Sequence, residues 1–204
     1  MEFFLRASGA PRVLGILPGS FHPPTRAHLA LAQAALQSKV DEVVFVLPRV
    51  FPHKRYEQVG VEDRVRMLKA ALADRERVSI ASTEKGLFID IARECLEAYG
   101  PGTRLMFICG RDAAERIVNW DYGTPGAIHE MLDVFELLVA SRGAEYQPPP
   151  ELASKVHPLA LPGGFDSVSA TRIRERIGKG LPWEHLAPEG ATELIRELYG
   201  ARGA

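Results

Sequence analysis

A hydroxyl and an imidazole stand three residues apart, as Thr25 and His28, in the segment Gly19-Ser20-Phe21-His22-Pro23-Pro24-Thr25-Arg26-Ala27-His28. On a helix, side chains at that spacing share a face. A helix beginning near Thr25 would turn unbonded N–H groups and a positive dipole end toward an anion. Gly19 removes a side chain where backbone must come close to a ligand, and Pro23 and Pro24 stiffen the turn. The segment fits neither GxGxxG nor GxxxxGK(S/T), so neither the dinucleotide fingerprint nor the P-loop applies. A plainer reading makes Thr25 an ordinary helix cap and His28 a surface or satisfied core histidine. The context, directly behind an apolar run, a glycine and two prolines, favours the anion site.

A second constellation of the same kind is Val168-Ser169-Ala170-Thr171-Arg172-Ile173-Arg174. Ser169 or Thr171 caps a helix that continues through Ile173 and Ile177. Its first N–H groups form another anion site, and Arg174 reaches over them with a rigid multi-donor fork. A basic, solvated helix face with a normal cap accounts for the same residues. No convincing nucleophile-base triad is present. Cys95 and Cys109 match no metal spacing and sit in apolar, periodic segments, as buried small hydrophobes do.

Both constellations need elements that deliver them to one place. Val13–Leu17, Val43–Leu47 and Leu105–Cys109 are unbroken apolar runs stopped by Pro18-Gly19, Pro48 and Gly110, as buried parallel strands are. Val78–Ala81, Val134–Ala140 and His157–Leu161 read as further strands. Helical spacing of apolar residues covers Ala27–Gln37, Val61–Ala73 and Phe88–Ala98. Alternating strands and helices predict an α/β fold, a Rossmann-like three-layer α/β/α arrangement with a mostly parallel sheet. In such sheets ligands bind beyond the carboxyl ends of the strands, where the Gly, His, Arg and Pro clusters fall. The Tyr146–Glu151 stretch, YQPPPE, reads as a stiff surface loop. One domain over residues 1–204 is expected, its helical C-terminal part from about 167 to 204 carrying the second constellation.

The 204 residues are 46% hydrophobic and 25% charged, which excludes a disordered or fibrous chain. No apolar run is long enough to span a bilayer, and MEFFLRASGAPR has no secretory core, so a cytoplasmic protein without a membrane partner is expected. Lys and Arg total 25 against 26 Asp and Glu, and this balance argues against a nucleic-acid partner.

The first segment resembles the (H/T)xGH signature of the nucleotidyltransferase superfamily within a GxFxPxTxxH frame, with Thr25 first and His28 last. Ala27 stands where glycine is usual, narrowing the site by a methyl group, and His22 where Asp or Asn is common. Residues 168–174 resemble the second signature, ISSTxIR, with Ala170 for a serine. Phe51-Pro52-His53-Lys54 resembles the PPHK loop of nicotinate or nicotinamide mononucleotide adenylyltransferases, and Glu62-Asp63-Arg64 with Met67-Leu68 the helix after it. Gly110-Arg111-Asp112 is similar to the family's GxD, although Asp112 also reads as a helix N-cap. Trp120 falls where the family stacks a tryptophan on the pyridine ring, and equally suits packing. Ser141-Arg142-Gly143 is similar to the Arg-Pro-Gly segment, and Gly180–Tyr199 to the family's end. Leu87-Phe88-Ile89 departs from the Ser-Tyr-Thr run of the pyridine pocket.

The resemblance implies a fold of nucleotidyltransferase type and an enzyme of NAD biosynthesis. It would join ATP to nicotinate or nicotinamide mononucleotide and release pyrophosphate. His28, Thr25 and Arg174 are the implied catalytic residues. Gly19, Ser20, Phe21, Gly110, Asp112, Ser169 and Thr171 would bind ATP, and His53, Lys54 and Trp120 the mononucleotide. Mg2+ would be held through the ATP phosphates, with no protein metal site. A pantetheine-phosphate adenylyltransferase or cytidylyltransferase activity, or a non-catalytic nucleotide-binding module, stays open, as does a homo-oligomer.

Overall fold

A strand covered on both faces must be apolar at every position, and Glu42–Pro48 (β3) is buried throughout its length. The computed structural model describes residues 1–49, 59–141, 146–165 and 167–200. In it β3 lies in a seven-stranded sheet with Glu2–Leu5 (β1), Val13–Pro18 (β2), Val78–Thr83 (β4), Arg104–Gly110 (β5), Glu136–Ala140 (β6) and Val156–Leu159 (β7). The order is β1-β4-β3-β2-β5-β6-β7, and every pair is parallel except β1 with β4.

The helices are Arg26–Ser38 (α1), Val61–Ala71 (α2), Phe88–Tyr99 (α3), Arg111–Asn119 (α4), Ala127–Val134 (α5), Ala170–Gly178 (α6) and Thr192–Gly200 (α7). Alternation along the strands separates two cores. Leu14, Ile16, Val44 and Val46 pack with Ile91, Ala114 and Leu132 of α3, α4 and α5. Leu17, Val43, Phe45 and Leu47 face Ala32, Ala35, Val65 and Leu68 of α1 and α2. The sheet is thus the middle of three layers. A third cluster docks α6 and α7 on α2 through Met67, Ile173, Trp183 and Ile195.

The chain reverses its order of strand addition between β2 and β5, its neighbours being β3 on one side and β5 on the other. The crevice at the carboxyl ends of β2 and β5 is therefore the ligand position of this topology. The loops beginning at Gly19 and Gly110 flank it.

Several expectations need correction. β1 lies outside the strands expected from the sequence, because four residues on an antiparallel edge, none of them buried, carry little pattern. The eight-residue α5 has no sequence signal either, and α4 begins at Arg111, ahead of the start that an Asp112 cap implies. Val134 closes α5, so β6 starts at Glu136 instead. β7 ends at Leu159, and a 3-10 turn at Pro150–Leu152 begins within the end of the YQPPPE stretch. Cys95 and Cys109 are buried, and burial pushes both thiols up to about 12. Among the described residues no helix is long and apolar enough to cross a membrane.

Candidate active site

Thr25 caps α1 in extended backbone conformation, and the cap is reciprocal. Its Oγ1 accepts the His28 N–H at 3.4 Å, while its own N–H donates to His28 Nδ1 at 3.0 Å. A backbone N–H can only donate, so Nδ1 accepts and the proton of the neutral ring sits on Nε2. Burial lowers the His28 pKa to about 4, so the ring is a neutral donor at pH 7. Thr25 is fully buried, which corrects the expectation that its hydroxyl faces an anion. It orients His28 and its Oγ1 is spent within the cap.

Phe21 explains the rest of the loop. Its ring is buried, stands edge-on to His28 at 5.1 Å and lies 5.5 Å from Phe45. Its φ of 46° is in the left-handed region, held there by that packing. A Cβ on Gly19 would come 2.9 Å from the Phe21 ring. The glycine therefore makes room for this aromatic ring, and the Phe21 side chain backs His28. Ala27 is corrected likewise: its methyl group packs with Val59, Met67, Val168 and Ile173, in the third core.

Arg174 joins the two constellations. Its Nη1 donates to the His22 carbonyl and its Nη2 to Thr171 Oγ1 at 3.3 Å. Across 152 residues of sequence, the start of α6 is thus brought against the β2–α1 connection. Ser169 is the cap of α6, accepting the Arg172 N–H at 3.1 Å, whereas Thr171 lies within the helix and is exposed. His22 packs edge-on to Tyr199 of α7 at 5.2 Å. Burial, then the Arg174 and Arg64 charges, lower its pKa to about 4.

Sequence reasoning gave Arg64 and Tyr199 no role. The Arg64 signal was available as a charge amid the apolar positions Val61, Val65 and Leu68. Arg64 is buried and donates to the Ser20 carbonyl at 3.0 Å.

On the other side of the crevice, Gly110 caps α4 and nothing lies within 4 Å of its Cβ position. Asp112 is in the first turn and not the cap, a correction to that reading. Its first-turn place still favours a carboxylate. Trp120 ends α4, 56% exposed, and lines a depression of about 500 Å³ with Asp112, Glu115, Arg116 and Asn119. That depression includes no residue of the β2–α1 connection or of α6. His53, Lys54, Arg142 and Gly143 lie outside the described residues. Leu87 is exposed before α3, while Phe88 turns into the core edge-on to Phe107 at 4.8 Å.

A doubly wound sheet with two helix starts meeting beyond β2 is the framework of a nucleotidyltransferase. Consistent with it, the cytidylyltransferase-like family profile matches residues 16–176. A probable nicotinate-nucleotide adenylyltransferase of Geobacillus thermodenitrificans is 33% identical over 200 residues, covering 93% of this chain and 87% of that protein. One of the same name from Shouchella clausii is 33% identical over 199 residues, covering 92% and 96%. The chain is thus a nucleotidyltransferase and belongs to the nicotinate-nucleotide adenylyltransferase family. Its fold matches Plasmodium falciparum nicotinic acid mononucleotide adenylyltransferase complexed with NaAD, with TM-score 0.68 and 17% identity over 91% of this chain and 95% of that one.

Proposed function

We propose that the protein joins ATP and nicotinate mononucleotide into the deamido dinucleotide of NAD biosynthesis, releasing pyrophosphate. The observation that carries this is the Arg174 bond to the His22 carbonyl, which sets α6 beside the loop that presents His28. An oxygen of the mononucleotide phosphate attacks the α-phosphorus of ATP. The bond from that phosphorus to the bridging oxygen breaks, and its electrons leave with pyrophosphate. The attacking group is already an anion, so no general base is required. Catalysis comes from in-line positioning and from donors aimed at the developing charge.

In this reading His28 Nε2–H serves the phosphate oxygens around the reacting phosphorus, with Thr25 and Phe21 setting the ring. Arg174 and the start of α6, with Ser169 and Thr171, receive the departing pyrophosphate. Gly19, Ser20, Gly110 and Asp112 line the ATP position. His53 and Lys54 address the mononucleotide phosphate and Trp120 its base. Among the described residues no three His, Cys, Asp or Glu gather into a metal cage. Mg2+ would be carried on the ATP phosphates, and the exposed Asp112 is the carboxylate nearest in sequence to the β5 end. There the ion would neutralise phosphate charge. We propose the cytoplasm as its compartment, in keeping with its buried free thiols.

The test is pyrophosphate release with ATP and a panel of acceptors. Nicotinate mononucleotide is expected to give the highest kcat/KM. A higher value with the amide corrects the acceptor, and one with pantetheine phosphate refutes the reading. Faster release from CTP than from ATP also refutes it. ATP binding without release from any acceptor would leave a non-catalytic module.

A further inference from the structure

Residues 117–122 form a stretch of chain closed on itself, with Trp120 inside it. Tyr122 Oη donates to the Ile117 carbonyl at 2.9 Å. That carbonyl belongs to the last turn of α4, where a helix has no N–H of its own to offer. The Tyr122 ring packs against the first core, so the hydroxyl is anchored from inside the molecule. Burial pushes its pKa up from the ordinary tyrosine value, which keeps it a donor at neutral pH. Two neighbouring side chains fix the same stretch. Asn119 Nδ2 donates to the Glu115 carbonyl at 2.8 Å, and Asp121 Oδ1 accepts the Gly123 N–H at 2.8 Å. The second of these is an Asx turn, and Gly123 accommodates it with a φ of 73°. Trp120 ends the helix in extended backbone, at φ −72° and ψ 135°. The side chains on either side of it are thus bound to backbone, while the indole stands 56% exposed on the wall of the α4 depression.

We propose that Tyr122 is a positioning residue that presents Trp120 to the base of the mononucleotide. The inference rests on the proposed reaction, in which Trp120 receives that base. A stacking surface binds best when its plane is set before the ligand arrives, because ordering a side chain on binding costs affinity. The Tyr122 bond closes the chain around the Trp120 Cα, so its loss loosens the backbone that carries the ring. The depression includes no residue of the β2–α1 connection or of α6, so the effect falls on the mononucleotide and not on ATP.

The test compares Tyr122→Phe, Trp120→Ala and the double variant in the full chain, with both substrates varied and folding checked by thermal melting. Trp120→Ala is expected to raise KM for nicotinate mononucleotide by about 10- to 100-fold, the scale of one lost base–aromatic stack. Tyr122→Phe keeps the ring in the core and is expected to raise that KM by about 3- to 10-fold, the scale of one hydrogen bond. KM for ATP stays within about 1.5-fold in both. A residue that acts through Trp120 has nothing left to act on once the indole is gone. Tyr122→Phe should therefore change the mononucleotide KM by less than about 1.5-fold in the Trp120→Ala background. The inference is overturned by an unchanged mononucleotide KM in Tyr122→Phe beside a raised one in Trp120→Ala. It is overturned equally by a matching rise for ATP, or by the full Tyr122→Phe effect persisting without the indole. An unchanged mononucleotide KM in Trp120→Ala reads differently: it refutes the stacking role in the proposed function, and the positioning inference with it. Should Tyr122→Phe not fold, Asp121→Ala removes the Asx turn at an exposed position and carries the same expected and overturning results.

Discussion

Replacing His28 by alanine removes one donor and part of one helix cap, and the two losses have different sizes. Thr25 N–H occupies Nδ1 at 3.0 Å, so the proton available to a phosphate oxygen is on Nε2. With the ring pKa lowered to about 4 by burial, the free enzyme at pH 7.5 holds a neutral ring. The donor is thus an uncharged N–H, preset by the cap. Losing one such donor to a transition-state oxygen costs about 2.7–4 kcal/mol, or ~100- to 1000-fold in kcat. The lost cap contact costs stability by about 0.5–2 kcal/mol. His28→Ala should therefore remain folded while pyrophosphate release falls by two to three orders of magnitude. Substrate phosphates titrate near pH 6, so a pH–rate profile does not isolate the ring. An NMR titration of the free protein does, with the His28 signal expected to move near pH 4. Activity within about fivefold of wild type would falsify the donor role. A ring titrating near its ordinary 6.5 would refute the electrostatic part.

Arg174→Lys is expected to lower kcat/KM for ATP by at least about tenfold, since an ammonium cannot span the His22 carbonyl and Thr171 Oγ1 as the fork does. Steady-state kinetics with varied ATP checks this, and an unchanged value counts against it. Gly19→Ala places a methyl group 2.9 Å from the Phe21 ring. It should cost about 1–3 kcal/mol in urea unfolding, and an unaltered midpoint would show that the ring yields freely. His22 and His28 both have pKa values lowered to about 4 from 6.5. The unfolded chain then binds more protons between those values, so stability is full above pH 6.5 and is lost as pH falls toward 4. The loss is up to about 3 kcal/mol per ring. Urea unfolding of His22→Asn at pH 7 and pH 4.5 should show a smaller acid loss than wild type, and equal losses contradict the assignment.

Much of the scaffold was legible because it rests on short-range pattern. Val43–Leu47 has no polar interruption, and this continuity marks a strand buried on both faces wherever it occurs. Thr25 as a cap was legible for a similar reason, its partner being the N–H three residues on. Where pattern was short, it failed: β1 has four residues and α5 eight, and neither offers enough repeats to identify itself.

What the sequence by itself determined was the long, strongly patterned strands and helices and the two segments able to start helices at an anion, because caps, turns and apolar periods act within a few residues. Tertiary structure alone decided what each side chain is for. Gly19 is a glycine because a ring packs back over it, and Thr25 turns its hydroxyl inward because His28 completes its cap. Arg174 and Arg64 reach carbonyls 152 and 44 residues away. Those contacts follow from strand order and from the docking of α2, α6 and α7, and such distances in sequence leave no local trace.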